Sequence, residues 1–330
     1  MIGALKAMTP QPVKTAIRRA TRWIPRRPRP AILMYHRIAR ESFDPWGLAV
    51  EEQRFAAQLE WLERNRTVLP LGEFARLHRE RRLNSDAVAI TFDDGYRSAL
   101  GVAVPLLERL GLHATVFLPA ELIVRGSPFW WDELAQIVLR FDGNILRLEG
   151  SELKIPPKDE CDRSWRTDTP PDTPRQVVFY RIWSGLRAKQ PATIESVMAE
   201  LRNQAPHAPD GDRPISTDEV RSITSAAVDF GSHALTHPSL PMLDEADQRR
   251  EIEASRPLCA SLTGRTPTAF AYPYGDFDER TERLVRGAGF ECACSAEHAF
   301  VTPGDSSFAL PRLRVGNWEP RGLRNMLRGA

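Results

Sequence analysis

The apolar positions of this chain follow two alternating rhythms. One is the short, unbroken run rich in β-branched and aromatic residues, found at Ala31–Tyr35, Thr67–Leu71, Val88–Phe92, Ala114–Pro119, Val228–Ser232, Thr268–Tyr272, Phe290–Ser295 and Pro311–Val315. Runs of this length without a polar face predict strands buried on both sides, as in a parallel sheet. The other rhythm places an apolar residue every three or four positions. It predicts helices over Phe55–Asn65, Leu71–Arg79, Ala103–Leu110, Asp244–Leu262 and Phe277–Gly287. Gly111 supplies the left-handed stop of the third. Ser216 and Glu219 have the spacing of a capping box that opens one more helix. Strand and helix alternate, which predicts an α/β fold. The alternation fails between about residues 129 and 214. There, Phe129–Leu134 starts a helix, 155–174 is polar and proline-rich, and helices are expected near Val177–Leu186 and Ile194–Leu201. This segment reads as a partly helical insertion within a domain spanning residues 31–330.

Composition narrows the class. A chain of 330 residues with 42% hydrophobic and 27% charged content is that of a globular protein with a substantial core. No run approaches transmembrane length. The net charge of +2 is uninformative, but Met1–Arg40 carries two Lys and eight Arg without one acidic residue. Val13, Ile17, Ala20, Trp23 and Ile24 recur at helical spacing between Lys14, Arg18, Arg19 and Arg22. Residues 1–30 are therefore either a basic amphipathic helix lying on an anionic membrane surface or a solvated basic arm. Arg26–Pro30 is a linker. With no apolar signal-peptide core, the expected location is the cytoplasm, the inner membrane face being the alternative open to the arm. The four cysteines (Cys161, Cys259, Cys292, Cys294) are too few and too irregular for a disulfide scaffold or a CxxC zinc site. Cys292 and Cys294 fall on one side of a strand and read as core.

The chemistry gathers where the runs end. Val88–Phe92 stops at two adjacent carboxylates, Asp93 and Asp94, followed by Gly95. An Asp-Gly turn accounts for Asp94 and Gly95 but not for the second carboxylate. A glycine at a strand end lets two neighbours converge on one pocket. His233 and His237, four apart after another strand, would share a side if the chain makes one helical turn there. Two imidazoles and one carboxylate suit a catalytic zinc and equally ferrous iron, cobalt or nickel. A carboxylate bound to a cation is a poor base, so a second, unligated one beside it has a use.

Three segments, TFDDGY at Thr91–Tyr96, SHALTHP at Ser232–Pro238 and AYPYG at Ala271–Gly275, resemble the first three motifs of the polysaccharide deacetylases (NodB-homology domain, carbohydrate esterase family 4). The resemblance implies a distorted (β/α) barrel of about seven parallel strands. It implies metal-dependent removal of N-acetyl groups from N-acetylhexosamine units of a cell-surface polysaccharide or a lipid-linked precursor, with no nucleic-acid partner. Asp94, His233 and His237 match the metal ligands, zinc being the expected ion, and Asp93 matches the general base. The backbone N–H of Tyr274 matches the oxyanion donor. Tyr272, Tyr274, Trp131 and Asp132 are candidate substrate contacts, although Trp130 and Trp131 would equally serve as packing for the insertion.

Two departures matter. The Leu-x-His motif that carries the general acid in many members is absent, and His298 lies in a polar loop segment. His36, ending the first strand in Met34-Tyr35-His36, resembles the N-terminal Tyr-His of exopolysaccharide deacetylases and is assigned as the acid. Its alternative is a histidine that only holds the strand end. The third motif has Ala271 where the family has an arginine that orients the base. Arg312 either replaces it or pairs with a surface carboxylate. An O-acetyl esterase, a small-amide amidohydrolase and a catalytically silent carbohydrate-binding relative remain as alternatives.

Overall fold

The computed structural model describes residues 28–148, 150–187, 189–205 and 212–328, so most of the basic N-terminal arm lies outside the described residues. The strands are β1 (Ala31–Tyr35), β2 (Thr67–Val68), β3 (Ala87–Phe92), β4 (Ala114–Leu118), β5 (Ile145–Leu148), β6 (Ser151–Lys154), β7 (Val228–Ser232), β8 (Ala269–Ala271), β9 (Cys292–Cys294) and β10 (Leu313–Arg314). Seven form one sheet in the order β10-β1-β3-β4-β7-β8-β9, and β2 pairs with β3 beside this path. Every pairing in this sheet is parallel. Leu310 bridges Cys294 of β9, and Leu313 of the same segment pairs with Leu33 of β1. A single stretch of chain thus touches both ends of the curled sheet. The expected strand number and barrel-like form are those observed.

Alternation within each strand sorts residues between two apolar layers. Ala31, Leu33, Tyr35, Val88, Ile90 and Phe92 pack outward under the helices. Ile32, Ala87, Ala89, Ala269, Ala271, Cys292 and Cys294 face the other way with Phe117 and Leu310. That second layer is dominated by small side chains, as the narrow inside of a curled sheet requires. Cys292 and Cys294 are there as small hydrophobes, and all four cysteines of the chain are free thiols.

One expectation is corrected. The helix predicted over Asp244–Leu262 is two helices, Glu245–Glu253 and Ser255–Thr263. Pro257 has no N–H to give the carbonyl of Glu253, and its ring crowds that carbonyl, so the helix breaks there. The segment between residues 129 and 214 is partly helical. Beside helices Trp130–Arg140, Pro174–Leu186 and Pro191–Gln204 it holds the antiparallel hairpin β5–β6. Only Leu146 of that hairpin is buried, so its strands carried almost no pattern to read. The insertion packs Trp130, Leu134, Ile137 and Val138 against Phe179, Val197, Met198 and Leu201. Buried Arg175 donates to the carbonyls of Val138 and Phe141, both at 2.9 Å, which serves two orphan carbonyls at the end of Trp130–Arg140. Among the described residues no helix is long and apolar enough to cross a membrane.

Candidate active site

The carboxyl ends of β3, β7 and β8 lie along one rim of the sheet, with β4 between β3 and β7, and the loop after each holds a left-handed residue. At the end of β3, Asp93 still donates its N–H to Tyr35 at 3.0 Å, but Asp94 (φ 69) and Gly95 (φ 70) are left-handed. A Cβ on Gly95 would lie 2.4 Å from Leu118 Cδ2, so glycine alone fits. The kink turns both carboxylates into one cavity, and it begins at Asp94 itself rather than only at the glycine. After β7 the helical turn expected to align the histidines does not form. Ala234 (φ 61) and His237 (φ 59) are left-handed instead. The intervening amides of Leu235 and Thr236 donate to buried Glu251 at 3.0 and 2.9 Å, which pins the loop. After β8, Tyr274 has φ 59. Four of the five described non-glycine residues with positive φ thus sit in these three loops. Such conformations cost ~1–3 kcal/mol each and persist only where the surroundings impose them.

The result is a convergence of donor atoms without hydrogens between them. His233 Nδ1 lies 2.7 Å from the carbonyl of Ala271. A carbonyl only accepts, so Nδ1 carries the proton and Nε2 keeps its lone pair. That Nε2 is 3.7 Å from Asp94 Oδ1, and His237 Nε2 is 3.4 Å from the same oxygen. These gaps are too long for hydrogen bonds. They match the ~3.4 Å between ligands on a tetrahedral ion with bonds of about 2.0–2.2 Å. Asp94 Oδ1 is buried without a hydrogen-bond partner. Burial and the neighbouring Asp93 push the Asp94 carboxyl well above its ordinary range, and burial holds both imidazoles in the neutral form that ligates. A cation between them would satisfy all three ligand atoms, so the set fits a divalent metal.

Asp93 has the opposite environment. Arg312 is fully buried and meets it with both prongs, Nη1 to Oδ1 and Nη2 to Oδ2, each at 2.7 Å. Burial alone would raise this carboxyl, but the Arg312 guanidinium holds it well below the usual carboxylate range. Arg312 is itself fixed through Nε to the Ser295 carbonyl at 2.8 Å. The surface-carboxylate alternative for Arg312 is therefore excluded by position. Ala271, where the family carries its arginine, is buried in the inner layer beneath the site.

A cavity of about 250 Å³ opens over the cluster, lined by His36, Asp93, Asp94, His233, His237 and Tyr274. A larger cleft, about 580 Å³, lies between Phe43, Arg140 and Lys158 and holds none of these residues. Burial pushes the His36 imidazole down to about 3, opposed by Asp93 and reinforced by Arg314 and Arg312. His298 is exposed in a loop, its Nδ1 accepting from the Arg314 N–H at 3.2 Å. Trp131 lines the cavity, its ring 4.6 Å from that of His237. Asp132 does not line it. Its carboxylate pairs with Arg37 and accepts from the Tyr96 hydroxyl at 2.7 Å, and that hydroxyl also accepts from Trp131 Nε1 at 3.0 Å. Tyr272 is a further correction. It is fully buried, stacks on Phe277 and donates its hydroxyl to Phe308 at 2.8 Å, away from the cavity. Two residues apart on a regular strand, Tyr272 and Tyr274 would share a face, but the turn at Pro273 and Tyr274 breaks that parity.

Sequence reasoning missed other lining residues, among them Trp46, Thr167, Tyr180, Trp183 and Arg314. Tyr180 and Trp183 are three apart on one helix face, and Arg314 is two past Arg312 on a strand. Both spacings are signals that could have been read.

Comparison with known proteins follows this geometry. The sequence profile of the family described as polysaccharide deacetylase matches residues 80–140 and 190–293. YxkH of Bacillus subtilis (strain 168), named as a candidate polysaccharide deacetylase, is 21% identical over 286 residues, covering 86% of this chain and 70% of its own. The deacetylase PplD of Streptococcus pyogenes, solved with acetate, superposes with a TM-score of 0.58 at 15% identity, over 90% of this chain and 97% of that one. IcaB of Ammonifex degensii superposes with a TM-score of 0.58 at 17% identity, over 91% and 97%.

Proposed function

This chain belongs to the polysaccharide deacetylase family, a family of hydrolases, and on that premise we propose that it removes N-acetyl groups from N-acetylhexosamine units of a cell-surface polysaccharide or its precursor, with a divalent cation held by Asp94, His233 and His237. The observation that carries the reading is the pair of opposed carboxylates. Asp94 is buried, unpartnered and aimed at two neutral imidazoles, while Asp93, its neighbour in sequence, is kept ionised by Arg312. One suits a ligand and the other a base. Zinc is the ion expected, with cobalt, nickel and ferrous iron compatible with the same donors. When bound, the ion supplies acidification of water and polarisation of the acetyl oxygen.

The side chains do the rest. Asp93, fixed by Arg312, accepts a proton at a carboxylate oxygen from the attacking water. That proton passes to His36, which lines the same cavity. It then delivers the proton to the departing amine nitrogen. The Tyr274 N–H donates to the oxyanion of the tetrahedral intermediate. Trp131, Trp183 and Tyr180 offer the ring faces on which a sugar packs.

The deciding experiment pairs metal content of the purified protein with acetate release from N-acetylglucosamine oligomers, before and after chelation. Chelator-sensitive acetate release restored by zinc or cobalt is the expected result. Bound metal with acetate only from O-acetylated sugars or a small amide would replace the substrate. No metal and no acetate would leave a silent carbohydrate-binding protein.

A further inference from the structure

One wall of the cavity carries positive charge that no carboxylate among the described residues meets in an ion pair. Arg314 lines it. Its Nη2 is occupied by the carbonyls of Trp46 and Gly47, the latter at 3.0 Å, while Nε and Nη1 have no partner among the described residues. Arg166 comes up to Arg314 beside Gly47, just outside the cavity lining. An atom placed as a Cβ on Gly47 would lie 3.1 Å from both Arg166 Nη1 and Arg314 Nη2. Among the described residues neither guanidinium forms an ion pair with a carboxylate within 4.0 Å. Asp44 and Asp168 act on Arg314 only from farther away, and the Asp44 oxygens already accept from the N–H groups of Leu48 and Ala49 at 3.0 and 2.9 Å. The other arginines around the site are matched: Arg312 to Asp93, Arg37 to Asp132 and Arg187 to Asp276.

Two guanidinium groups brought to one point repel unless an anion lies between them. The planar fork of arginine is suited to phosphate and carboxylate oxygens. Thr167, next to Arg166, places a hydroxyl on the same wall. We infer that Arg166 and Arg314 bind an oxyanion carried by the substrate, a phosphate or a carboxylate on or beside the N-acetylated sugar. The inference rests on the deacetylase reading for its sugar, but the anion site stands on its own geometry.

Equilibrium binding by calorimetry to the metal-loaded full chain separates the two. The probes are N-acetylglucosamine, N-acetylglucosamine 1-phosphate and N-acetylmuramic acid, with the acetate assay run in parallel. At low salt at least one anionic sugar is expected to bind about tenfold tighter than the neutral one, an advantage that shrinks as salt rises. Which anion wins assigns the source as a glycosyl phosphate or a sugar carboxylate. In Arg166→Gln and Arg314→Gln the ratio of anionic to neutral affinity should fall toward one. Arg166 is exposed, so its variant tests the site even if Arg314→Gln folds poorly. Equal affinity for all three sugars, or an anion preference that survives both substitutions, overturns the inference even where acetate is released. Anion preference without acetate from any sugar retains the site and removes the deacetylase reading.

Discussion

The floor of the cavity and its wall are built on different principles. The floor comes from the ends of β3, β7 and β8, and its side chains are held by directional bonds: Asp93 by two prongs of Arg312, His233 by the Ala271 carbonyl, and the His233–His237 loop by Glu251. The wall comes largely from the insertion. It is held by ring contacts such as Trp46 with Trp183 at 5.2 Å and by Arg187, which stacks over Trp183 and Tyr274. The family profile matches the floor's Asp93, Asp94, His233, His237 and Tyr274 but skips residues 141–189, which contain Thr167, Tyr180, Trp183 and Arg187. Directional bonds fix atoms to fractions of an ångström, as a reaction requires. Ring packing shapes a surface and leaves it free to vary. The floor should therefore govern turnover and the wall recognition.

Substitutions in the floor test this most severely. Asp94→Asn and His233→Ala should release the metal and bring acetate formation down to the uncatalysed level, with metal analysis and activity falling together. Asp93→Asn should keep the metal and lower kcat by ~10²–10⁴, since it removes only the proton acceptor. His36→Ala is expected in the same ~10²–10⁴ range. An effect of only a few fold would give the acid role to another group and leave His36 as a strand-end residue. Loss of metal from Asp93→Asn would show that ligand and base are not divided as the geometry suggests.

Arg312→Gln attacks the floor through stability. Removing one partner of a buried, hydrogen-bonded ion pair costs ~3–5 kcal/mol. The sign of its pH dependence is the sharper test. With Arg312 present the folded-state pKa of Asp93 lies below the ordinary ~3.9, so its contribution to stability is present above that pH and is lost on acidification. Without Arg312 burial dominates and the folded pKa rises above the unfolded one. The variant should then lose stability as pH rises above the ordinary ~3.9, a range in which this group leaves the parent unaffected. Thermal unfolding across that range decides it; parallel curves would mean that Arg312 does not control Asp93.

The floor was also the legible half. Each of its residues ends an apolar run that reads as a strand, and two carboxylates before a glycine or two histidines four apart are visible without a structure. Backbone detail was not legible. The helical turn expected at His233–His237 is replaced by left-handed residues tied to Glu251, a partner distant in sequence. Tyr272 read as a candidate contact beside Tyr274, yet with the turn at Pro273 it lies in the core. The wall was nearly invisible. Trp46 and Trp183 meet across more than a hundred residues, and a tryptophan facing a cavity leaves the same trace in sequence as one facing the core. Arg312 stood between these cases: its type suggested a partner for Asp93, but only its complete burial excludes the surface alternative.

The smallest effect is expected at Arg187, and it bears most directly on the division between floor and wall. Arg187 follows the helix Pro174–Leu186, stacks 4.7 Å from the centre of the Tyr274 ring and 5.2 Å from that of Trp183, and pairs with Asp276. Asp276 also accepts from the Ser239 hydroxyl at 2.7 Å, so the pair ties the insertion to the loops after β7 and β8. A partly exposed cation–π contact contributes ~0.5–1 kcal/mol and a partly exposed ion pair ~0–1 kcal/mol. Arg187→Met keeps the bulk of the side chain while removing both. If the clamp shapes only the wall, KM should rise by roughly threefold to tenfold with kcat nearly unchanged, the mark of binding shared by ground state and transition state. A fall in kcat at constant KM would mean that the clamp also holds the Tyr274 backbone where the oxyanion forms, and the wall would then be part of the catalytic floor.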